Sequence, residues 1–210
     1  MEVKNRIMYH VHKMGGFDEL WEVGNEIVVD ENFKSRFSSG YDSFDTCVLC
    51  EDDSIVTFDK IINQYLKEEE FEKIDKELIR RIFITSRAMI KNMNTTNREN
   101  ALEFYRRDHY PNLPCRLKCI WLTNKKGLKY WENVFANRED DNKDYKIFKV
   151  EVTGILFKSS DSFIPDANMS FIERYKASEK YWNPVFKTDK DEREAEYLFQ
   201  GKVKIIEKIK

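Results

Sequence analysis

The sequence predicts an α+β protein in which strands form both ends of the chain and helices fill its middle. Apolar and polar residues alternate near the amino terminus and again over residues 145–152 and 195–209, which is the spacing of half-buried strands. Between residues 57 and 109 the apolar residues instead recur every three or four positions, as in amphipathic helices. No repeat is evident along the 210 residues, so we expect a single domain, 1–210, with a helical insertion at about 57–109.

The amino-terminal part of the chain contains two predicted strands followed by a loop. Residues 6–12 (Arg-Ile-Met-Tyr-His-Val-His) form the first strand, which ends before a Gly-Gly pair. Residues 20–29 form a second extended segment, in which Gly24 supplies a turn. The stretch 30–54 is rich in Ser, Asp and Gly and has weak periodicity, so we expect a loop there.

Three helices are predicted in the middle of the chain. The first follows Thr57, a residue suited to capping a helix, and its apolar residues at helical spacing are Phe58, Ile61, Ile62, Tyr65 and Leu66. The second covers residues 75–93. The third covers residues 97–109 and ends before Pro111, because the residue that precedes a proline disfavours the helical conformation.

Strand and helix signals alternate after Pro114. The predicted order is a strand, a short helix, a strand, an irregular segment and a closing strand, over residues 117–123, 127–136, 145–152, 155–186 and 195–209. The irregular segment itself contains a short strand, an acidic loop and a helix at 171–181. The predicted sheet is therefore built from both halves of the chain.

Composition excludes several classes of function. Lys and Arg number 36 against 38 Asp and Glu, a net charge of -2, so bulk charge does not favour indiscriminate nucleic-acid binding. The sequence has neither a long apolar run nor the apolar stretch of a signal peptide at its start, so we expect a cytoplasmic protein without a membrane partner. The glycine-containing motifs of serine hydrolases, P-loop proteins and dinucleotide folds are also absent.

The four cysteines fall into two close pairs, Cys47 with Cys50 and Cys115 with Cys119. Two such pairs are able to bind zinc, which is the alternative to free buried thiols. We expect free thiols and no metal, because Cys119 lies in an apolar strand pattern and no glycine or proline knuckle surrounds Cys47. A disulfide is disfavoured in a cytosolic chain.

Two carboxylates precede the apolar residues of the last predicted strand. Glu194 and Glu196 are two positions apart, so in an extended chain both side chains point to the same face of the sheet. A carboxylate held at the end of a strand is able to stabilise positive charge that develops on a sugar as its glycosidic bond breaks. The pair therefore makes this edge of the sheet a candidate catalytic site, which the rest of the chain has to support.

Three pieces of sequence, taken in order, carry a resemblance to a known family: Tyr9-His10, Ile120-Trp121-Leu122-Thr123 and Glu196-Tyr197-Leu198. They resemble the ADP-ribosyltransferase superfamily, whose core is a split antiparallel sheet. The resemblance implies that NAD is the co-substrate and that Glu196 is the catalytic carboxylate. It also implies that His10 binds the ribose and the nicotinamide amide, while the aromatic ring of Trp121 stacks on the nicotinamide.

The resemblance implies roles for four further residues. Tyr130, in the helix after the middle strand, resembles a second aromatic residue that closes the nicotinamide sandwich. Thr123, the last residue of the middle-strand motif, is a further expected cofactor-binding residue. Arg116, which two prolines deliver to the mouth of that strand, pairs either with the pyrophosphate of NAD or in a structural salt bridge. Glu194 resembles the first acidic residue of a Glu-x-Glu turn, where it orients or deprotonates the acceptor.

This resemblance predicts an NAD-dependent ADP-ribosyltransferase that modifies a macromolecule, acting as a toxin or anti-phage effector with a neutralising antitoxin protein. The predicted acceptor is a nucleic acid, RNA or DNA, because of the first-strand histidine and the basic and aromatic stretches at 80–91 and 104–118. The alternative acceptor is a protein side chain such as arginine, which Glu194 favours. Hydrolysis of NAD without transfer, or an inactive binding module of the same fold, are two further alternatives.

Overall fold

The computed structural model describes residues 1–15, 18–33, 47–49, 55–57, 76–137, 144–166 and 168–210. The chain divides into two compact units, a larger one of Met1–Ser39 with Arg98–Lys210 and a smaller one of Gly40–Asn97. Antiparallel strands and helices both occur in it, so the protein is of the α+β class, as the sequence predicts. The smaller unit contains most of the segment that the sequence predicts as a helical insertion.

Within the described residues the strands and α-helices follow one another as β1 Glu2–Lys13, β2 Glu26–Val29, β3 Cys47–Leu49, β4 Ile55–Thr57, α1 Lys76–His109, β5 Ile120–Leu122, α2 Leu128–Ala136, β6 Tyr145–Ser160, α3 Phe171–Trp182, α4 Asp189–Arg193 and β7 Ala195–Lys208. Short 3-10 helices occur at Asp18–Leu20, Arg116–Lys118 and Asp161–Phe163. In the smaller unit, β3 and β4 pair as a two-stranded antiparallel sheet.

The larger unit is built on a five-stranded antiparallel sheet. Its order is β1-β6-β7-β2, and β5 pairs with the first part of β7. Beyond β5, Tyr9 and Thr123 exchange two backbone hydrogen bonds, of 2.9 and 2.8 Å, which join β1 to the end of β5. Because of this bridge, β1, β6, β7 and β5 form a closed circuit, and the edges of β1 and β5 meet.

Strand β7 lies at the centre of this unit, and packing covers both of its faces. Ala195, Tyr197 and Phe199 belong to one buried apolar cluster, together with residues of β1, β2, β5 and β6. Leu198 points the other way, into a second cluster that includes Trp182 of α3. Side chains alternate along a strand, so the residue at position 196 points to the same face as Leu198. That geometry buries a carboxylate in the second cluster.

Several predicted elements are confirmed, although their bounds differ. The strand predicted at 6–12 is β1, and the strand predicted at 145–152 is β6, which continues to Ser160 and includes the short strand expected in the next segment. The remaining matches are the turn at Gly24 with β2 after it, the helix α2, the helix α3 and the closing strand β7.

The two helices predicted at 75–93 and 97–109 are wrong as separate elements, because the structure has one continuous helix, α1. No glycine or proline lies between the two predicted segments. The Thr95 hydroxyl donates to the Lys91 carbonyl at 2.9 Å, so its hydrogen bond is made inside the helix instead of capping a new one.

One other prediction in the first half of the chain needs correction, because the segment 30–54 contains β3 where a loop was expected. Thr57 is the last residue of β4, and the segment that it was predicted to cap lies outside the described residues. The apolar residues 58–66 of the first predicted helix lie outside the described residues. The strand predicted at 117–123 is shorter than expected, because a 3-10 turn at Arg116–Lys118 precedes β5. Among the described helices, none combines the length and the apolar character needed to cross a membrane.

Candidate functional site

The larger unit contains a cavity of about 610 Å³ beside the point where β1 and β5 meet. This volume lies within the range of small-molecule sites in proteins, roughly 300–1,000 Å³. Aromatic rings form much of its wall: Trp21, Phe33, Trp121, Trp131 and Phe135. Its charged and titratable side chains include His10, His12, Arg98, Glu99, Arg116 and Glu196. The three residues that carry the family resemblance, His10 on β1, Trp121 on β5 and Glu196 on β7, thus line one cavity.

Glu196 is the second residue of β7, and only 3% of its surface is exposed. Its Oε1 atom accepts a hydrogen bond from Nη1 of Arg116 at 2.5 Å and another from the hydroxyl of Tyr181. No described residue donates a hydrogen bond to Oε2 of Glu196. The carboxylate is therefore anchored through one oxygen, while the residue lines the cavity.

Arg116 lies in the 3-10 turn before β5 and is buried beside Glu196. Its Nε atom donates to Oε2 of Glu99 at 2.6 Å, and its guanidinium lies 4.7 Å from the centre of the Tyr181 ring. Desolvation lowers the pKa of Arg116, but its electrostatic interactions with Glu99, Tyr181 and Glu196 raise it well above the ordinary value. Arg116 thus forms ion pairs, which is one of the two roles that the sequence left open.

Glu99 and Tyr181 complete this buried cluster from two helices. Glu99, on the carboxyl-terminal part of α1, is 1% exposed and also accepts hydrogen bonds from the partly exposed Arg98 at 3.2 and 3.3 Å. Tyr181, near the end of α3, is fully buried, and desolvation raises the pKa of its phenol well above the ordinary value. A neutral phenol keeps its proton, so Tyr181 is a hydrogen-bond donor to Glu196 at every physiological pH.

His10 joins β1 to β5 through its ring. Its Nδ1 atom lies 2.8 Å from the carbonyl oxygen of Trp121, and since a carbonyl only accepts, Nδ1 carries the hydrogen and Nε2 has the free lone pair. The ring stacks on Trp21 with centroids 3.9 Å apart and an angle of 14°. Desolvation, with a smaller contribution from His12, lowers the pKa of His10 to about 3. The imidazole is therefore neutral near pH 7.

His12 and the cysteines form no metal site in the part of the chain that the structure describes. Nε2 of His12 pairs with Oδ1 of Asp18 at 2.7 Å, away from the partner of His10. Cys115 and Cys119 are free thiols. No described group of three or more His, Cys, Asp or Glu residues is arranged to hold a metal ion. The zinc alternative also involves Cys50, which lies outside the described residues.

The two predicted residues on and after β5 both line the cavity. Trp121 is partly exposed, and its ring lies 5.9 Å from the guanidinium carbon of Arg116. Thr123 is buried, and its backbone forms the bridge to Tyr9 described above. Trp121 is therefore positioned to offer an aromatic face to a ligand, whereas Thr123 contributes mainly to joining β1 and β5.

The aromatic residues that α2 brings to the cavity are Trp131 and Phe135, and Tyr130 is not among the lining residues. The Tyr130 hydroxyl donates to Oδ2 of Asp161 at 2.8 Å, and burial, followed by this bond, raises the pKa of the phenol. The indole nitrogen of Trp131 donates to the carbonyl of Ala195 at 3.0 Å, one residue before Glu196. Trp131 thus replaces Tyr130 as the candidate for the second aromatic wall.

Glu194 does not share a strand face with Glu196, so that prediction is wrong. It precedes β7 and ends α4, where its backbone N–H donates to Lys190 and its backbone is not extended. A capping box between Thr188 and Asp191 starts this short helix, which the sequence analysis did not anticipate. The Glu194 side chain lies 3.8 Å from Nζ of Lys190, and Glu194 is not among the residues that line the cavity.

Two site residues, Glu99 and Tyr181, were missed by the sequence analysis. For Glu99 a signal was present, because Glu99, Leu102, Glu103 and Arg106 recur at helical spacing on the buried side of α1. Carboxylates on an apolar helix face need buried partners, which here are arginines. No comparable signal identified Tyr181, since a tyrosine on the buried side of a helix is ordinary core composition.

The comparisons with known proteins concern nearly the whole chain and leave its activity open. No curated protein was found to match the chain. A family model, described as Protein of unknown function (DUF2441), matches residues 8–210 and so includes the cavity residues from His10 to Glu196. Since the match covers nearly the whole chain, the chain belongs to the DUF2441 family.

Proposed function

We propose that this chain is an NAD-dependent ADP-ribosyltransferase and that Glu196 is its catalytic carboxylate. The observation that carries the proposal is the placement of Glu196 in an aromatic-walled cavity, next to His10 and Trp121 on adjoining strands. The closed circuit of β1, β6, β7 and β5 brings these three positions together although they are far apart in sequence. This convergence supports an ADP-ribosyltransferase-like core for the five-stranded sheet.

In the proposed reaction, the bond between C1′ of the ribose and the nicotinamide nitrogen breaks, and its electron pair leaves with the nicotinamide, which becomes neutral. Positive charge develops on the sugar, where the carboxylate of Glu196 stabilises it. A lone pair of the acceptor then forms the new bond to C1′, and the acceptor's proton passes to Glu196 and from there to water. The buried setting of the carboxylate strengthens its effect, because little water screens it.

The cavity wall suits the cationic nicotinamide ring. Aromatic faces attract a cation by roughly 0.5–2 kcal/mol, and Trp121 and Trp131 line this cavity. The depressed pKa of His10 adds to this, because a protonated imidazole about 4 Å from the ring would repel it by about 4 kcal/mol at an effective dielectric constant of 20. Neutral His10 avoids that repulsion and offers its Nε2 lone pair to a hydroxyl or amide N–H.

For the acceptor we propose a nucleic acid, and for the biological role a toxin or anti-phage effector restrained by an antitoxin protein. The feature that favoured arginine, Glu194, is not among the cavity-lining residues, so the geometry gives that alternative no support. Part of the basic stretch at 104–118 is structural, since Arg106 pairs with Glu103 at 2.6 Å. The proposal for the acceptor therefore depends on the remaining basic side chains and on the first-strand histidine.

The test is an assay with NAD labelled in its adenylate phosphate. The chain is incubated with labelled NAD and, in separate reactions, with purified RNA, DNA or protein from bacterial extract, while released nicotinamide is measured. We expect nicotinamide release and label in a nucleic-acid fraction. Label in protein alone supports the arginine alternative, and free ADP-ribose as the only product supports hydrolysis. If no nicotinamide is released in any reaction, the proposed function is wrong.

Substitution of Glu196 provides the matched comparison. Glu196→Gln is expected to lower kcat by at least about 100-fold, because a neutral amide stabilises the developing cation poorly. Glu207→Gln changes the same residue type on the same strand at an exposed position, where Glu207 pairs with Lys149 at 3.4 Å, and is expected to keep full activity. Equal activity of the two variants would refute the assignment of Glu196. An early indicator of the proposed activity is that expression of the chain is toxic to bacteria and that Glu196→Gln, but not Glu207→Gln, relieves this toxicity.

A further inference from the structure

We propose that Arg116 and Tyr181 position Glu196 for the reaction and that Glu99 supplies the counter-charge that prevents Arg116 from neutralising it. This inference rests on the proposed function, since it concerns the same carboxylate. It assigns to Arg116 a role in holding Glu196, in place of contact with the pyrophosphate of NAD. It also gives Glu99 and Tyr181, which lie on two different helices, a part in the chemistry.

The geometry of the cluster fixes one orientation of the Glu196 carboxylate. Both donors, Nη1 of Arg116 and the Tyr181 hydroxyl, meet the same oxygen, Oε1. The end of α3 is itself held in place, because Ser159 of β6 donates to the backbone carbonyl of Tyr181 at 2.8 Å and the Trp182 indole donates to the carbonyl of Leu102 at 2.8 Å. Rotation of the carboxylate would break two hydrogen bonds to a charged group, so Oε2 keeps a constant position.

The charge of the cluster explains the need for Glu99. Arg116 lies 2.5 Å from Glu196 and 2.6 Å from Glu99, so its positive charge is shared between two carboxylates. Glu99, Arg116 and Glu196 together carry a net charge of about -1 when all are ionised, with Arg98 at the partly exposed side of Glu99. Without Glu99, Arg116 would cancel the field of Glu196 at the place where the sugar cation forms.

Tyr181 complements this arrangement because it donates a hydrogen bond and adds no charge. The raised pKa of its phenol keeps it neutral, as described above. The charge of Glu196 also contributes to raising the pKa of Cys119, just before β5, and of Tyr130 on α2. Neither is altered in the variants that follow, so these variants change only the environment supplied by α1 and α3.

The first variant removes the phenol hydroxyl. Tyr181→Phe is expected to lower kcat by about tenfold, roughly the value of one hydrogen bond to a charged group, with the KM for NAD within about twofold of the wild-type value. The acid side of the pH profile of kcat is expected to move to higher pH, because the lost bond favoured the ionised carboxylate. Tyr175→Phe is the control, since Tyr175 lies on the same helix and its hydroxyl bonds to Asp108 at the surface.

The second variant removes the counter-charge. Glu99→Gln keeps the shape of the side chain and is expected to lower kcat by about tenfold or more, again with little change in KM. Here the acid side of the pH profile is expected to move to lower pH, because Arg116 then acts on Glu196 alone. Glu103→Gln is the control, because Glu103 lies four residues further along α1 in a buried ion pair with Arg106 and is not a cavity residue.

Opposite pH shifts in the two variants would support the inference, since general loosening of the structure would shift both profiles in the same direction. Unchanged kcat and pH profiles in both variants, with an active wild-type chain, would overturn the inference alone. An inactive wild-type chain overturns the proposed function and this inference with it. Circular dichroism and urea unfolding establish which variants are folded. If Glu99→Gln does not fold, the inference is tested with Tyr181→Phe alone, by its kcat and by the direction in which its pH profile moves.

Discussion

Acidification is expected to destabilise the larger unit through His10 in particular. The ring is packed against Trp21 and bonded to the Trp121 carbonyl, and desolvation lowers its pKa from 6.5 to about 3. An unfolded chain takes up a proton at His10 near pH 6.5, whereas the folded chain does so only near pH 3. The unfolded state therefore binds more protons in this window, so stability is fully present above pH 6.5 and is lost as the pH falls toward 3.

The size of this effect follows from the two pKa values. Each pH unit inside the window corresponds to about 1.4 kcal/mol, which gives a loss of about 2.5 kcal/mol from His10 alone between pH 7 and pH 4.5. Carboxylates titrate in the same range, so the total loss in the wild-type chain is not specific to His10. The comparison with His10→Gln isolates it, because glutamine keeps a polar side chain that does not titrate.

The assay is urea unfolding of the wild-type chain and of His10→Gln at pH 7, 5.5 and 4.5. The difference between their free energies of unfolding is expected to fall by about 2.5 kcal/mol across this range, in favour of the variant at low pH. Proton NMR gives a direct check, since the ring signal that disappears in His10→Gln is expected not to titrate between pH 8 and pH 5. A pH-independent difference in stability, or a ring signal with a midpoint near 6.5, would refute the reasoning.

Two further predictions concern the sheet around the cavity. In urea titrations, Gly154→Ala is expected to lower the free energy of unfolding by more than Gly24→Ala does. Both glycines have positive φ angles, but of the two only Gly154 would place its new Cβ 2.3 Å from a backbone oxygen, that of Gln200. Equal losses of stability in the two variants would contradict this prediction. Trp131→Phe removes the indole N–H that donates to the backbone carbonyl of Ala195, next to Glu196, so it is expected to reduce stability by about 1 kcal/mol and to reduce kcat. If kcat keeps its wild-type value, this hydrogen bond does not support the site.

Local periodicity was enough to predict much of the secondary structure. The alternation in β1 and β6 and the helical spacing in α3 each reflect one face that is more buried than the other, which a single sequence displays directly. The separate helices at 75–93 and 97–109 were wrong because the polar residues between them were taken as a boundary. A threonine hydroxyl is also satisfied inside a helix, as that of Thr95 is here by the Lys91 carbonyl.

The candidate site was predictable only in part. His10, Trp121 and Glu196 were singled out because they belong to three short motifs that, in their order along the chain, carry the family resemblance. Their partners could not be predicted, since the contact of Glu196 with Tyr181 depends on how α3 packs on the sheet, and that packing has no local pattern in the sequence. The placement of Glu194 failed for a related reason, because a five-residue helix is too short to show a period.

The charge distribution in the cavity indicates how a dinucleotide would enter it under the proposed function. Arg116 is occupied by two carboxylates, and His10 is neutral near pH 7, so Glu99, Arg116 and Glu196 together carry a net charge of about -1, while Arg98 pairs with the partly exposed side of Glu99. A diphosphate placed beside Glu196 would meet repulsion, whereas the cationic nicotinamide riboside would be attracted. The geometry therefore favours entry with the nicotinamide end first and the phosphates toward solvent. Arg116 is paired with Glu99 and Glu196, so its presence in the sequence alone was not evidence of a phosphate site.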